Sequence, residues 1–214
     1  MCIRDSLGMD EWCCGSPAAR VGDTILARKM AQHNIKVIEN CGANLVLFSC
    51  AGCYRTFKKD YPKWGLNYNF KVLHISEFIS ELIKNNKIKL GSIDKKITYH
   101  DPCHLGRHLG IYDPPRIVIN AIPKINFKEM ARNRFNAWCC GAGGGVKSAF
   151  KDLAIFAASE RLIEAEKTTD AEYLISTCPF CNLNLKDGKK NIETKIIVKD
   201  LMELLLECGV ELIE

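Results

Sequence analysis

Paired cysteines set the chemistry open to this chain. Trp138-Cys139-Cys140-Gly141-Ala142-Gly143-Gly144-Gly145 places two thiols side by side on a glycine-rich turn. Glycine there permits positive φ and close approach to something bulky. His100-Asp101-Pro102-Cys103-His104 lies upstream, and Cys178-Pro179-Phe180-Cys181 lies downstream. The same order occurs earlier, as Trp12-Cys13-Cys14-Gly15 followed by Cys50-Ala51-Gly52-Cys53. One zinc ion takes four ligands in a tetrahedron. Five thiols on three separate loops suit the wider cavity of an iron–sulfur cluster. The pattern reads as two copies of one cluster cradle, the first lacking its beginning. A zinc-stapled, non-redox interaction protein is the bland alternative.

Composition narrows the classes. Twelve cysteines in 214 residues, with no secretory signal, point to metal ligation in a reducing compartment rather than to disulfides. Vicinal cysteines rarely bridge, which agrees. Hydrophobic content of 47% is enough for packed cores. The net charge of +5 is scattered, with no basic block interleaved with aromatics, so nucleic acid is not an expected partner. No apolar run reaches the roughly 18 residues of a membrane span. The expected location is the cytoplasm, with a partner as the route to the inner face of a membrane.

The elements that must position these thiols follow from periodicity. Residues 23–39 read as a helix burying Ile25, Leu26, Met30, Ile35 and Ile38. Residues 44–49 read as a strand delivering Cys50, 54–61 as a short helix, 70–74 as a strand, and 77–84 as a helix capped by Ser76. The polar stretch 85–96 reads as a linker. Strand 96–100 then delivers Cys103, helices follow at 105–111 and 114–121, and a strand at 126–130. Residues 150–167 read as an amphipathic helix using Leu153, Phe156, Ala157, Leu162 and Ile163. Strands at 172–177 and 195–198 follow, and Asp200 caps a helix to Cys208. Alternating strands and helices favour parallel sheets with the site at strand carboxyl ends. The expected fold is α/β: two repeated α/β units with small parallel sheets, packed by pseudo-twofold symmetry. The expected division is 7–90 for a first, N-terminally truncated unit and 91–214 for a complete second one. Residues 1–6 read as a non-native leader, since Cys2-Ile3-Arg4-Asp5-Ser6 matches a translated transposase-adapter frame; Cys2 then is no ligand.

The segments His100–Arg107, Trp138–Gly145 and Thr177–Cys181 resemble the cysteine-rich CCG domain family, nearest to the C-terminal part of heterodisulfide reductase D-type subunits. The resemblance covers the chain after Ser6. It implies noncubane 4Fe–4S clusters. Cys103, Cys139, Cys140, Cys178 and Cys181 then hold one cluster, and Cys13, Cys14, Cys50 and Cys53 hold part of a second. It also implies an iron–sulfur oxidoreductase subunit that reduces a disulfide and takes electrons from a donor subunit or flavoprotein, with a membrane haem subunit as a further partner. The alternative within the wider family is an electron-transfer subunit of a flavin-linked hydroxyacid or glycerol-phosphate dehydrogenase, passing electrons to quinone.

Other residues have both functional and structural readings. His100 and His104 flank Cys103 and are candidates to donate to sulfur or protonate a thiolate. Arg107 is a candidate to attract an anionic substrate, with a surface ion pair as its alternative. His74 and His108 read as structural, and Cys41 and Cys208 as small buried apolar residues. Gly143-Gly144-Gly145 lacks the Lys-Ser/Thr ending of a phosphate loop and reads as room and N–H donors for cluster sulfides.

Overall fold

The computed structural model describes residues 8–213, so the expected leader and Cys2 lie outside the described residues. The fold is α/β. In chain order the first half runs α1 (Ser16–Arg20), α2 (Thr24–Asn40), β1 (Leu45–Phe48), α3 (Ala51–Arg55), a π-helical turn Thr56–Asp60, α4 (Tyr61–Lys63), β2 (Lys71–His74), α5 (Ile75–Lys84) and β3 (Ile88–Leu90). The second half runs β4 (Lys96–His100), α6 (Gly106–Leu109), α7 (Asp113–Asn120), β5 (Asn126–Phe127), α8 (Val146–Ala149), α9 (Lys151–Thr169), β6 (Tyr173–Ser176), α10 (Pro179–Lys189), β7 (Ile197–Asp200), α11 (Leu201–Cys208) and β8 (Val210–Leu212).

Two parallel sheets carry the thiols. The larger has the order β5-β4-β6-β7, and the smaller pairs β1 with β2. All four residues of β6 are buried, as a parallel strand covered on both faces requires. Leu174 faces a core with Leu162, Leu185 and Val198, while Ile175 faces another with Ile97, Val118 and Leu204. The first of these cores also takes in Ala51 and Tyr54, so it runs across both halves of the chain.

Local chemistry explains the boundaries. Asp23 accepts from the Leu26 N–H and starts α2. Prolines stand in the first turn of α1, α7 and α10, where a missing N–H costs nothing. Asp200 and Glu203 form a reciprocal capping box on α11. His74, not Ser76, plays the same part on α5: its ring accepts from the Ser76 N–H while Glu77 accepts from the His74 N–H.

Several expectations are corrected. In α2 the expected core residues Ile25 and Leu26 are exposed, and Ala27 and Ala31 are buried instead, because the helix lies close against the Cys13-Cys14 turn. In α9 Leu153 and Phe156 are exposed; the buried face carries Ala154, Ala158, Arg161, Leu162 and Ala165. That face is small because α10 packs tightly on it: a Cβ on Gly188 would meet the Ala158 Cβ at 2.7 Å. The stretch expected as a linker holds β3, whose Ile88 and Leu90 are buried and which pairs antiparallel with β8. The expected strand 126–130 shrinks to two residues. Cys41 is exposed at the end of α2, whereas Cys208 is half-buried against the second core.

Candidate metal centre

Five thiols of the second half meet at the carboxyl ends of β4 and β6. Cys103 lies on the turn after β4. Cys178 is the N-cap residue of α10, one turn from Cys181. Cys139 and Cys140 sit on a turn closed by Gly141, whose φ of 89° belongs to glycine. The Gly141 N–H donates to the Cys139 Sγ at 3.3 Å. A Cβ on Gly141 would stand 2.7 Å from the Ala154 carbonyl oxygen on α9, so the turn is pressed onto that helix. Asn184 of α10 holds the other side, donating to the carbonyls of Cys140 (2.6 Å) and Ala154 (2.9 Å). The thiols form a line of electrostatically interacting neighbours: Cys103 to Cys139, Cys139 to Cys140, Cys140 to Cys181, and Cys181 to Cys178.

The first half builds a second line in the same way. Gly15, with φ of 84°, presses the Cys13-Cys14 turn onto α2, where a Cβ would meet the Ala27 carbonyl oxygen at 2.8 Å. Asn34 donates to the carbonyls of Trp12 and Cys13 at 3.1 and 3.0 Å. Tyr61 donates its hydroxyl to the Cys14 carbonyl at 3.1 Å. Cys50 is the N-cap residue of α3, and Cys53 lies within it. Cys13 neighbours Cys14, Cys14 neighbours Cys53, and Cys53 neighbours Cys50. Cys50 also neighbours Cys178. Nine sulfur atoms thus form one continuous file from Cys103 to Cys13.

The file is electrostatically unbalanced when it holds protons alone. Cys139 receives hydrogen bonds from Cys103 and Cys140 and is held down at about 2. Cys50 receives them from Cys178 and Cys53 and is likewise held at about 2. The donors are forced to keep their protons. Cys140 is pushed up to about 12, chiefly by its bond to Cys139. Cys181 is driven well above the ordinary thiol range by its bonds to Cys140 and Cys178, and then by burial. Packed thiolates need compensating positive charge, since like charges in a low-dielectric pocket repel strongly. A polynuclear cation cluster held by deprotonated thiols meets that need, and the donor set, all sulfur on backbone turns rich in N–H groups, fits an iron–sulfur cluster.

His100 is fully buried at the end of β4. One of its ring nitrogens and the Sγ atoms of Cys140 and Cys181 all lie within 4.8 Å of one another. His104 points the other way: a Cβ on Gly52 would stand 3.3 Å from its Nδ1, so it lies beside the Cys50–Cys53 turn of the first half. Its proximity to both Cys50 and Cys139 places it between the two thiol groups. Arg107 donates to the carbonyls of Phe135 and Ala137, clamping the loop that leads into Cys139. Asp101 pairs with Arg116 through both oxygens, at 2.8 and 2.9 Å, and accepts from the Arg134 N–H at 2.8 Å. It therefore fixes the Cys103 turn to the same loop. His108 accepts from Lys59 through its backbone carbonyl.

Several positioning residues, Asn34, Tyr61 and Arg116 among them, carry no motif in the sequence. Arg161 and Asn184 sit on helices whose polar residues read as surface, and His74 reads as an isolated strand histidine. Asp101 and Arg107, inside the run from His100 to Arg107, stand beside a visible signal.

An all-sulfur site at the strand ends of an α/β fold defines a cysteine-rich cluster-binding domain. The family model described as "CCG: Cysteine-rich domain" matches residues 4–58 and 97–186, more than half of the chain, and the protein belongs to that family. Among its relatives, the D subunit of the dihydromethanophenazine:CoB–CoM heterodisulfide reductase of Methanosarcina mazei is 47% identical over 206 residues, covering 94% of this chain and 50% of that protein. The B subunit of the fumarate reductase (CoM/CoB) of Methanothermobacter marburgensis is 38% identical over 194 residues, covering 90% and 38%. EtfAB:quinone oxidoreductase of Syntrophomonas wolfei is 32% identical over 208 residues, covering 93% and 29%. The chain spans half or less of the length of these relatives. No helix among the described residues is long and apolar enough to cross a membrane.

Proposed function

We propose that the chain is the cluster-bearing part of a heterodisulfide-reductase-type iron–sulfur oxidoreductase, built from two units, 7–90 and 91–214, related by pseudo-twofold packing. Cys103, Cys139, Cys140, Cys178 and Cys181 hold one noncubane 4Fe–4S cluster, and Cys13, Cys14, Cys50 and Cys53 contribute to a second. The observation that best supports this reading is the contact between Cys50 and Cys178, which brings the two thiol groups together rather than leaving them on separate faces. When bound, the clusters supply single electrons at sulfur. The chain's own part is to hold the thiols, to exclude water from the buried Cys140, Cys178 and Cys181, and to place His104 between the groups, where its ring N–H can donate a hydrogen bond to a sulfur. The substrate class is a disulfide, as in the named reaction of the 47% identical relative. Electrons come from a donor subunit or flavoprotein, with a membrane haem subunit as a further partner.

The test is anaerobic purification with iron and labile-sulfide analysis, followed by reduction of the coenzyme M–coenzyme B disulfide by a viologen donor. Zinc without labile sulfide would overturn the cluster reading, and an iron-replete protein without turnover would overturn the substrate. The relationship to EtfAB:quinone oxidoreductase supports a second reading, electron transfer from a flavoprotein towards quinone. Rapid reduction of the iron-replete chain by a reduced electron-transferring flavoprotein, without disulfide turnover, would favour it.

A further inference from the structure

The buried face of α9 places an arginine directly behind His100. Arg161 is fully buried, and its Nη1 donates to Glu164 Oε2 at 2.6 Å. Its Nε lies 3.2 Å from Nδ1 of His100. Guanidinium nitrogens only donate, so Nδ1 is the acceptor and carries no proton. A neutral imidazole then has its hydrogen on Nε2. Nε2 is buried without a hydrogen-bond partner. Orphaned buried donors are rare and ask for an explanation. The sulfur atoms of Cys140 and Cys181 lie within 4.8 Å of a nitrogen of this ring.

Metal-ligating histidines as a rule donate their second N–H to a carboxylate, carbonyl or water. His100 shows the opposite arrangement, because its second nitrogen accepts from a cation. Ligation through Nε2 would require the ring to lose its last proton.

We propose that Arg161 is a positioning residue that locks His100 in the Nε2–H tautomer, so that His100 serves the second thiol group as a hydrogen-bond donor to sulfur and not as a further metal ligand. The donor role rests on the cluster reading above; the tautomer lock stands on protein atoms alone. Glu164 neutralises Arg161, and it also accepts from the Arg132 N–H at 2.9 Å. The matching helix position of the first half is used differently among the described residues. Asn34 on α2, seven residues beyond Ala27 as Arg161 is beyond Ala154, bonds straight to the turn carbonyls. Hydrogen bonds to sulfur are one of the levers that set cluster potential, so the lock tunes the second thiol group.

Two measurements test this on the full chain. The first is nitrogen NMR of the 15N-histidine-labelled, iron-free protein. A single neutral Nε2–H species is expected for His100, with a tautomer mixture in Arg161→Met made together with Glu164→Gln, and recovery in Arg161→Lys. An Nδ1–H or doubly protonated ring in the unaltered protein, or no change in the double variant, would overturn the lock. The second is a redox titration of the iron-loaded protein with spin-echo spectroscopy. His100→Gln, which keeps an N–H donor, is expected to hold the midpoint potential, and His100→Leu to lower it at equal iron content. A nitrogen coupling of the size of a direct iron–nitrogen bond would overturn the donor role. Failure of any variant to take up iron would count against the cluster reading, and the NMR result would still decide the lock.

Discussion

His74 Nε2 donates to the carbonyl oxygen of Thr177 at 3.0 Å, so the residue that caps α5 in the first half also holds the residue before Cys178 in the second. Its ring is fully buried and kept neutral, chiefly by that burial. His74→Leu removes the cap, worth about 1 kcal/mol, and orphans a buried carbonyl, worth about 1–3 kcal/mol. The unfolding free energy in urea should fall by about 2–4 kcal/mol, the sum of those two effects. His74→Asn keeps an acceptor for the Ser76 N–H but cannot reach Thr177, and should recover only the smaller part. Equal stability of His74→Leu and the unaltered chain would show that the tie contributes nothing.

Gly141 and Gly15 should be far less replaceable than the glycines beside them. Both have positive φ, and a Cβ on either would come within 2.8 Å of a carbonyl oxygen in a packed helix. Neither backbone oxygen can swing away. Gly141→Ala and Gly15→Ala should each cost about 1–3 kcal/mol from strain alone, with further loss from displacing the cysteine turn. Gly143→Ala, where nothing lies within 4 Å and φ is not positive, is the control and should unfold within a degree or two of the unaltered chain. Thermal unfolding by circular dichroism reads all three.

The α/β order is legible in the sequence because strand and cysteine motif recur together. Each strand that delivers Cys50, Cys103 or Cys178 shows as four to five residues rich in β-branched, aromatic or aliphatic side chains, followed by a turn. Burial on the helices does not show. Leu153 and Phe156 follow the period of a core face, yet α9 turns small residues inward because α10 approaches too closely for large ones. Close helix approach leaves no mark in a hydrophobicity pattern. The capping role of His74 is hidden for a different reason: a histidine acceptor stands in place of the usual Ser or Asp. Arg161 is hidden because a charged residue on a long helix reads as solvated until a buried carboxylate and an imidazole are seen beside it.

Thiols in the file should behave differently from those outside it. Cys181 is buried between Cys140 and Cys178. Cys41 is exposed at a helix end, and Cys208 bonds only to carbonyls of its own helix terminus. After anaerobic loading, Cys181→Ser should lose most of the iron of the second thiol group, while Cys41→Ser and Cys208→Ser keep the full content. Iron and labile sulfide per chain give the answer, and equal iron in all three variants would remove Cys181 from the ligand set.

The ion pair between Lys147 and Asp187 should make stability depend on pH in a narrow acid window. Lys147 on α8 follows the Cys139-Cys140 turn, and its Nζ stands 2.6 Å from Asp187 Oδ2 on α10; Lys190 stands 2.8 Å from the other oxygen. Lys147 first, then Lys190, hold the Asp187 carboxyl at about 2, below its ordinary value of 3.8. The folded pKa is the lower one, so the contribution is complete above pH 3.8 and is lost as pH falls towards 2. The pair is partly exposed and screened by solvent, which limits it to about 0.2–1 kcal/mol. Lys147→Met should therefore lower the neutral-pH stability by no more than that and flatten the acid limb of the stability curve. Urea midpoints measured between pH 2 and 7 compare the two proteins. Parallel curves would mean that the pair does not fasten the glycine-rich turn to α10.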